Sequence, residues 1–432
     1  MRNKKIQFVF AEAEILSVYS SGWAPPLSFL TIASYLKNYS NLEIELLDSQ
    51  VMLQSEIEKR IDCDILAGSI NLANYSNFLK IAQKYKEKNP RGKVIVGGPH
   101  SLLARNILRN RPYIDAVVIG DGEKAFLLYC QDEKLSKIPN LVYRRDSEIL
   151  FNQKEKLNLE DLPIPDRSLV NLKPYFDNYN DEFNKPTTMY SQKGCFWGKC
   201  LFCQIKPPVR SRRPEQFWQE VKYLHDNYGI DYVWNVSDSP NKETFLDLRN
   251  SKPKDIDIAL RFYARTSEID EETAEALKAI NCYEVFLGIE TGDSKILQKI
   301  DKNSSLEQCL KAVEVLSKNK IKSRISFVLG LPGETEKTLE NTYNFANQLI
   351  DVGADSIACS ILMPVPGSKS FGMMLQKEEL RKKYLHEDLF NLNELQKDWV
   401  ESFCKVDYSS LVEMVKKIKE LKPEKFSGLF TS

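Results

Sequence analysis

The stretch TTMYSQKGCFWGKCLFCQ, residues 187–204, carries the most information in this sequence. Its first six residues, 187–192, have the composition of a strand. Three cysteines follow within nine residues, at Cys195, Cys200 and Cys203. Single cysteines spread along a chain are mostly small buried hydrophobic residues, whereas a tight trio after a strand is more often present to hold metal. The trio therefore predicts a metal centre in the loop that follows this strand.

The spacing of the trio is C-x4-C-x2-C. Thiolates are the ligands of iron–sulfur clusters, and three of them leave one iron of a 4Fe–4S cluster open to a non-protein ligand. A structural zinc site normally needs four protein ligands, and no histidine or fourth cysteine is near in the sequence. We favour an open cluster, with a zinc site and a chance grouping as the alternatives.

The trio lies at the start of a regular alternation of strands and helices. The predicted strands of this second region are 187–192, 232–237, 258–264, 283–290, 323–330 and 355–363. Six β/α units are two fewer than a closed barrel needs, so we predict a partial barrel. In such folds the chemistry lies at the carboxyl ends of the strands, which is where the cysteines are placed.

The first part of the chain has an alternation of its own. Its predicted strands are 5–10, 42–47, 64–69, 93–98 and 115–120. Five strands separated by helices predict an open parallel α/β sheet. Ligands bind such sheets beyond the carboxyl ends of the strands, so the loops 68–74, 97–100 and 120–123 are the informative ones.

These patterns divide the chain into four parts. We predict an α/β protein with a Rossmann-like domain at 1–138, a hairpin and linker at 139–184, a partial (β/α)6 barrel at 185–372 and a short helical tail at 373–432. The hairpin turns at 146–147, and the linker contains prolines. The tail is charged and helical by pattern and contains no motif that we can name.

Composition limits the function. The chain has 432 residues, with 60 Lys+Arg and 60 Asp+Glu, so its formal net charge is zero. A general nucleic-acid or anionic-membrane binder would need a basic excess, so we expect neither partner. No apolar run approaches the roughly 18 residues of a transmembrane helix, and the amino terminus has too short an apolar run for a signal peptide. We therefore expect a cytoplasmic protein.

Several motifs in the second region carry a family resemblance. Besides the cysteine trio they are ARTSEID (264–270), VFLGIETGDSKILQKIDKNSS (285–305), FVLGLPGETEKT (327–338) and LMPVPGS (362–368). Taken in this order, from about 185 to 370, the chain resembles a radical S-adenosylmethionine enzyme domain. The usual spacing in that family is C-x3-C-x2-C, so this chain has one extra residue between Cys195 and Cys200. Gly194 and Gly198 can adopt positive φ and could absorb it.

The amino-terminal region resembles the cobalamin-binding domain that precedes the barrel in one branch of that family. The segments that carry this likeness are APPLSFLTIASYL (24–36), LLDSQ (46–50), IVGGPHS (95–101), VIGDGEKAF (118–126) and the linker LEDLPIPDRSL (159–169). The two resemblances together cover about 370 of the 432 residues.

The resemblance implies a role for the residues around the cysteines. Cys195, Cys200 and Cys203 would ligate a 4Fe–4S cluster, whose open iron binds the amino and carboxylate groups of S-adenosylmethionine. Phe202 occupies the position of an aromatic residue that packs on the adenine.

Five further residues at strand ends are candidate contacts to S-adenosylmethionine by the same resemblance. Asp238, Arg265 and Glu290 would contact the methionine and ribose, and Gly330 with Glu334 would approach the adenine. Each has a structural alternative. Arg265 and Glu290 could form an ion pair at the barrel mouth, and Glu334 could cap the helix that begins near Thr335.

In the amino-terminal region, small and polar residues at strand ends would let the backbone lie close to cobalamin. The candidates are Ser69, Asn71, Gly97, Gly98, Gly120 and Gly122. The alternative is that they only form tight turns. The sequence lacks an Asp-x-His-x-x-Gly motif, and His100 is not expected to ligate cobalt, so cobalamin would bind without a protein histidine.

The resemblance implies an enzyme that cleaves S-adenosylmethionine reductively. With cobalamin, the reaction would be methylation of an unactivated carbon in a small molecule or peptide. The alternatives are a radical rearrangement, ring contraction or cyclisation on the same scaffold, or a non-enzymatic iron–sulfur or zinc module. An electron donor such as flavodoxin or ferredoxin would be the partner, and the catalytic side chains are not identifiable.

Overall fold

The structure is a computed structural model that describes residues 4–14 and 22–422. The chain divides into two compact units. The first consists of Met1–Tyr179 together with Lys382–Phe390, and the second consists of Asn180–Arg381 together with Asn391–Ser432. A short segment from the predicted tail therefore belongs to the first unit.

The first unit contains a seven-stranded sheet. Its strands are β1 (Lys5–Phe10), β2 (Glu43–Asp48), β3 (Ile65–Ser69), β4 (Lys93–Gly97), β5 (Ala116–Val118), β6 (Leu141–Arg145) and β7 (Glu148–Phe151). Their order is β2-β1-β3-β4-β5-β6-β7. The first five run parallel, which confirms the predicted open parallel sheet. The predicted hairpin, β6–β7, continues this sheet antiparallel to β5.

Helices cover both faces of this sheet. They are α1 (Leu27–Tyr39), α2 (Gln54–Arg60), α3 (Tyr75–Lys88), α4 (Ala104–Asn110), α5 (Glu123–Cys130) and α6 (Lys173–Asp177). Side chains alternate across a strand, and the two faces form two separate apolar cores. On β3, for example, Leu66 joins the core with α3, and Ala67 joins the core with α1 and α5. This explains why the strands read as nearly continuous apolar runs.

The second unit contains a parallel six-stranded sheet and a small two-stranded one. Its strands are β8 (Pro186–Met189), β9 (Gln192–Lys193), β10 (Arg210–Ser211), β11 (Tyr232–Asn235), β12 (Ala259–Ala264), β13 (Cys282–Glu290), β14 (Lys322–Leu329) and β15 (Ser356–Ile361). The larger sheet has the order β15-β14-β13-β12-β11-β8. Six parallel strands in sequence order confirm the predicted partial barrel.

Further helices follow these strands. They are α7 (Pro214–Tyr228), α8 (Lys242–Asn250), α9 (Glu271–Ala279), α10 (Ser294–Lys299), α11 (Leu306–Lys318), α12 (Glu336–Asp351), α13 (Lys369–Met374), α14 (Glu378–Tyr384), α15 (Leu392–Phe403) and α16 (Tyr408–Leu421). They belong to the second unit, except that α14 ends in the first unit, at residues 382–384. The tail is helical as predicted, and α16 packs against β15 and α12. Across the described ranges, 4–14 and 22–422, no helix combines the length and apolar character that a membrane crossing requires.

Candidate functional site

The cysteine loop is closed at its base by a small hairpin. β9 pairs antiparallel with β10, so residues 194–209 leave and return at the same point beyond β8. Gly194 and Gly198 have φ of +91° and +58°. At Gly194 a Cβ atom would collide with the carbonyl oxygen of Pro208. Both glycines therefore use the left-handed freedom that the sequence predicted for them.

The three thiols of this loop influence one another. Cys200 is buried, and Cys195 and Cys203 are half-buried. Burial raises the pKa of Cys203, the Ile205 N–H that lies 3.4 Å from its sulfur lowers it, and the charges of Cys200 and Cys195 raise it further. Within the described residues, no three His, Cys, Asp or Glu side chains converge tightly enough to hold a single metal ion. Three cysteine ligands on one loop fit a 4Fe–4S cluster, in which each ligand would bind its own iron, whereas a structural zinc site normally needs a fourth protein ligand.

Hydrogen bonds that the loop donates to residues after β11 and after α10 hold it in place. The Gly194 N–H donates to the carboxylate of Asp238, at 2.6 Å. The Trp197 indole N–H donates to the carbonyl of Asp301, at 2.5 Å, and Leu201 N donates to Ile300 O, at 2.9 Å. Asp238, a predicted cofactor contact, thus lies directly against the cysteine loop.

Arg265 is buried beside the same loop. Its guanidinium donates to the carbonyl of Lys302, and its central carbon lies 5.7 Å and 5.5 Å from the ring centroids of Phe196 and Trp197. Its Nε has no hydrogen-bond partner among the described residues. The alternative of an Arg265–Glu290 ion pair is wrong, because Glu290 has a different partner.

Glu290 pairs with Lys302, a residue that the sequence analysis did not identify. Both side chains are nearly buried, with exposures of 7% for Glu290 and 10% for Lys302. Glu290 has φ of +70°, and the register of β13 against β14 shifts between Gly288 and Glu290. A Cβ at Gly288 would collide with the Glu290 carboxylate and lie 2.7 Å from Lys302 Nζ. The bulge in β13 and the missing side chain of Gly288 together make room for the Glu290–Lys302 pair. Strained backbone of this kind clusters at functional sites.

The charge of Lys302 also reaches the cysteine loop. Its Nζ lies 6.0 Å from the ring centroid of Phe202. Burial lowers the pKa of Lys302, but Glu290 and the Cys200 thiolate raise it, and the raised direction prevails. Phe202 itself is half-buried. Lys302 is therefore a cation at pH 7 close to the predicted metal ligands.

Glu334 folds back onto its own loop. It is fully buried, and its Oε2 accepts hydrogen bonds from the backbone N–H groups of Gly330, at 2.5 Å, and Leu331, at 3.0 Å. Burial raises its pKa to about 7 although these two donors lower it. The alternative of a helix cap is wrong, because Thr335 caps α12 by accepting from Thr338 N.

The carboxyl-terminal helices hold this same loop, residues 330–334. The Trp399 indole N–H donates to Gly330 O at 2.7 Å. Gly333 N donates to Phe403 O, and Lys405 N donates to Glu334 O, each at 2.7 Å. A Cβ at Gly330 would lie 3.3 Å from Ile361, 3.4 Å from Leu411 and 3.7 Å from Val400. The missing side chain of Gly330 thus accommodates the packing of β15, α15 and α16.

In the first unit, the four predicted glycines differ in what surrounds them. A Cβ at Gly98 would lie 2.7 Å from the carbonyl oxygen of Ile70, and one at Gly122 would lie 3.2 Å from Ile32. One at Gly97 would lie 3.6 Å from Val118 O. At Gly98, which has φ of +97°, this contact favours the tight-turn alternative, whereas Gly122, with φ of −95°, packs against Ile32 of α1. At Gly120, with φ of +94°, a Cβ would meet nothing within 4 Å.

Ser69 and Asn71 belong to the loop after β3. The carbonyl of Ser69 accepts from the Asn74 side chain at 3.0 Å, and Asn71 Oδ1 accepts from Ala73 N at 2.8 Å and Asn74 N at 3.0 Å. These bonds fix the turn that leads into α3.

The His100 side chain is hydrogen-bonded to residues 382–390, the part of the predicted tail that belongs to the first unit. Its Nε2 lies 2.7 Å from Asp388 O, and burial lowers its pKa, so that the neutral ring donates to this carbonyl. The Asp388 carboxylate, fully buried, accepts from Tyr75 Oη at 2.6 Å and from Arg111 at 2.9 and 3.2 Å. We call Lys382–Phe390 the strap. The bond to the strap leaves His100 Nε2 unavailable as a metal ligand.

Two family models match the chain. The Radical SAM superfamily model matches residues 189–346, and the B12 binding domain model matches residues 15–129.

Three curated relatives cover most of the chain. An uncharacterized methyltransferase of Pyrococcus horikoshii is 27% identical over 365 residues, which are 80% of this chain and 77% of that protein. A putative methylthiotransferase of Methanocaldococcus jannaschii is 28% identical over 73% of this chain and 70% of that protein. The anaerobic magnesium-protoporphyrin IX monomethyl ester cyclase of Rubrivivax gelatinosus is 24% identical over 84% of this chain and 69% of that protein.

Two solved structures are similar in fold over most of the chain. The cobalamin-dependent S-adenosylmethionine radical enzyme OxsB, solved with aqua-cobalamin and S-adenosylmethionine bound, matches with a TM-score of 0.69 at 18% identity. The match covers 99% of this chain, which spans 64% of the OxsB chain. The radical S-adenosylmethionine methyltransferase TsrM of Kitasatospora setae, solved with cobalamin and a [4Fe-4S] cluster, matches with a TM-score of 0.68 at 17% identity, covering 85% of this chain and 77% of that one.

Proposed function

Because this chain belongs to the radical SAM superfamily and carries a B12 binding domain ahead of its barrel, we propose that it methylates an unactivated carbon of a small metabolite or peptide. It is a radical SAM enzyme, whose cofactors are a 4Fe–4S cluster, S-adenosylmethionine and cobalamin. The proposal rests on the combination, in one chain, of a three-thiol loop at the carboxyl end of a partial barrel with a parallel sheet that has open space at Gly120, beyond the carboxyl end of β5.

When bound, the cluster and cobalamin would supply the electron transfer and methyl-carrying chemistry that side chains lack. Cys195, Cys200 and Cys203 would hold the cluster. The oppositely charged side chains of Glu290 and Lys302 suit the ammonium and carboxylate ends of an amino acid, such as the methionine part of S-adenosylmethionine.

The first unit supports cobalamin binding without a histidine ligand. Of the three histidines in the sequence, His100 alone follows a strand of this sheet, and its Nε2 is bonded to Asp388 O. The open space at Gly120 offers room for a ligand against bare backbone. These observations favour the sequence-based expectation of a cobalt that no imidazole coordinates.

Relatives favour methyl transfer but also support a second candidate. The relatives of Pyrococcus horikoshii and Methanocaldococcus jannaschii have names that denote transfer of methyl or methylthio groups. The Rubrivivax gelatinosus relative is named as a cyclase and matches a larger share of this chain, 84%. Radical cyclisation on the same scaffold is therefore the second candidate.

Product stoichiometry separates the two candidates. In methylation, one S-adenosylmethionine gives up its methyl group and becomes S-adenosylhomocysteine. A second accepts an electron and gives methionine and, after taking hydrogen from the substrate, 5′-deoxyadenosine. Enzyme loaded anaerobically with iron, sulfide and hydroxocobalamin would receive deuteromethyl-labelled S-adenosylmethionine, photoreduced 5-deazariboflavin and fractions of a metabolite and peptide extract.

Methylation predicts the label in a new product, with the two nucleoside products in about equal amounts. Substrate-dependent 5′-deoxyadenosine with neither S-adenosylhomocysteine nor label would overturn methylation in favour of cyclisation or rearrangement. The triple variant in which alanine replaces Cys195, Cys200 and Cys203 is the control, and should make neither nucleoside product.

A further inference from the structure

The segment that contains the three thiols has a charge unlike the rest of the chain. Between Lys193 and Arg213 there are six basic residues and no acidic one, whereas the whole chain has equal numbers of each. Arg212 is buried and pairs with Glu220 of α7. The other five basic residues are at least partly exposed, so this segment presents positive charge without any acidic residue of its own.

Two of these basic side chains are held against the cysteine loop. Lys206 is exposed, and its ammonium donates to the carbonyls of Gly198, at 3.0 Å, and Cys203, at 3.3 Å. Lys199 is exposed as well, and its ammonium lies 4.7 Å from the ring centroid of Trp197. Both positive charges therefore stay over the loop that carries the thiols.

An apolar side chain lies on the same loop. Phe196 follows Cys195 directly and is 43% exposed, one of the few large apolar side chains so exposed among the described residues. The Asp301 carboxylate, which is next to the loop, pairs with Lys369 at 3.3 Å and so does not cancel the charges of Lys199 and Lys206. Aromatic residues are enriched at protein interfaces, and charges at the rim of an interface steer the encounter with an oppositely charged partner.

We propose that Phe196, Lys199 and Lys206 form the docking surface for an acidic one-electron carrier protein of the flavodoxin type. This inference rests on the proposed function, since an electron is needed only if the thiols hold a reducible cluster. The reduced carrier loses one electron and the cluster gains it. The same loop carries the three predicted cluster ligands, so a carrier that docks on it would lie near the cluster. Complementary charge would speed the encounter.

The test uses the cluster-loaded, full-length enzyme and purified flavodoxin in its hydroquinone state. Stopped-flow absorbance would follow cluster reduction in the wild type and in a Lys199→Gln/Lys206→Gln variant. At low ionic strength we expect the second-order rate constant to fall about tenfold in the variant, and the difference to vanish near 0.5 M salt, where charges are screened. Lys416→Gln/Lys417→Gln on α16, also exposed, removes the same charge elsewhere and should leave the rate unchanged.

Two further measurements distinguish carrier docking from cluster tuning and from RNA binding. Reduction by photoreduced 5-deazariboflavin, a small uncharged donor, should be equally fast in all three proteins. A loss there equal to the loss with flavodoxin would mean that the lysines tune the cluster, and would overturn the docking surface. An unchanged flavodoxin rate, with loss of binding to a labelled RNA oligonucleotide, would assign the surface to RNA instead. Neither assay needs a substrate, so failure of the methylation proposal does not affect this test.

Discussion

The contribution of the Glu290–Lys302 pair to S-adenosylmethionine binding can be tested with a single substitution. Removing one member of a buried ion pair leaves the other charge without compensation. We expect Lys302→Met to weaken S-adenosylmethionine binding at least tenfold and to leave the iron content unchanged, because the Glu290 carboxylate would lose the partner that orients it. Equilibrium dialysis with radiolabelled S-adenosylmethionine measures this affinity.

The control for this substitution is Lys295→Met, which removes an exposed lysine from α10 nearby. The affinity of this variant should equal that of the wild type. If Lys302→Met also bound S-adenosylmethionine normally, the buried pair would have only a packing role.

Glu334 predicts a pH dependence of stability. Burial raises its pKa from 4.5 to about 7 in the folded protein. Between these two values the unfolded chain is ionised while the folded protein keeps the proton. The folded state therefore loses stability as the pH rises from 4.5 to 7, by roughly 3 kcal/mol in all. Glu334→Gln should lack this loss.

The measurement is the free energy of unfolding in urea, determined for both proteins at several pH values from 4.5 to 7.5. The stability of the wild type relative to Glu334→Gln should decrease steadily through this range and level off above pH 7. Parallel profiles would show that Glu334 is ionised throughout in the folded protein.

Not all of these residues could be predicted from the sequence. The three cysteines stand out in the sequence because their close spacing favours a shared ligand, and their role as cluster ligands stays a prediction. Lys302 could not be predicted, since its pairing with Glu290 depends on an irregularity in β13, where the register shifts and Glu290 has a positive φ. No local sequence pattern predicts that such an irregularity will bury a lysine. The contact of Arg265 with S-adenosylmethionine stays a prediction, and its observed contacts with Lys302 O, Phe196 and Trp197 depend on the same tertiary packing.

At the scale of elements, α15 acts on a loop of the barrel from a distant part of the chain. Trp399 is completely buried and donates to Gly330 O. If residues 330–334 contact S-adenosylmethionine, Trp399→Phe should weaken its binding about five- to tenfold, the equivalent of one lost hydrogen bond of about 1–1.5 kcal/mol. Equilibrium dialysis measures the change, and iron content should stay the same.

Trp218→Phe is a matched control for this change. Trp218 is also buried, and its indole N–H donates to Leu248 O at 2.9 Å, away from the loop of residues 330–334. Its replacement should lower thermal stability without affecting the affinity for S-adenosylmethionine. Equal losses of affinity in both variants would indicate general destabilisation instead of positioning by Trp399.

Strand positions were predictable because apolar runs bounded by turns are strong local signals. The run at 93–98 is observed as β4, and the run at 323–330 is observed as β14, each within one residue at either end. The partners of the tail were not predictable. Its helical periodicity marks an apolar face on α16, but only tertiary structure shows that β15 and α12 cover that face.

At the scale of the whole molecule, the two units should hold their cofactors independently. The alanine triple variant of Cys195, Cys200 and Cys203 should lose the four irons of the wild type but still bind hydroxocobalamin. Gly120→Ala should keep the irons but weaken cobalamin binding, because its Cβ would project into the open space beyond the carboxyl end of β5. We expect about tenfold weaker cobalamin binding with full iron content, measured by absorbance titration and iron analysis.

Gly229→Ala controls for backbone strain, since Gly229 also has a positive φ, +66°, but ends α7 in the second unit. It should retain normal cobalamin binding. Gly98→Val would not report on cobalamin binding, because the new side chain would collide with the Ile70 backbone whether or not a ligand is bound. His100→Ala should leave the cobalt absorption spectrum unchanged, and a shift on this substitution would contradict coordination without histidine.

The strap also sets the order in which the protein can be completed. During synthesis the ribosome releases residues 1–179, then the barrel, and only afterwards the strap, Lys382–Phe390. Until then Tyr75 and Arg111 lack the carboxylate of Asp388 that joins them, and Asn106 lacks the Leu385 and Glu387 carbonyls to which it donates. Domains usually fold as soon as they emerge, starting from the amino terminus. Here the first unit to be translated must wait for residues that follow the barrel in the sequence, so a nascent chain that stalls before residue 390 carries an unfinished amino-terminal unit.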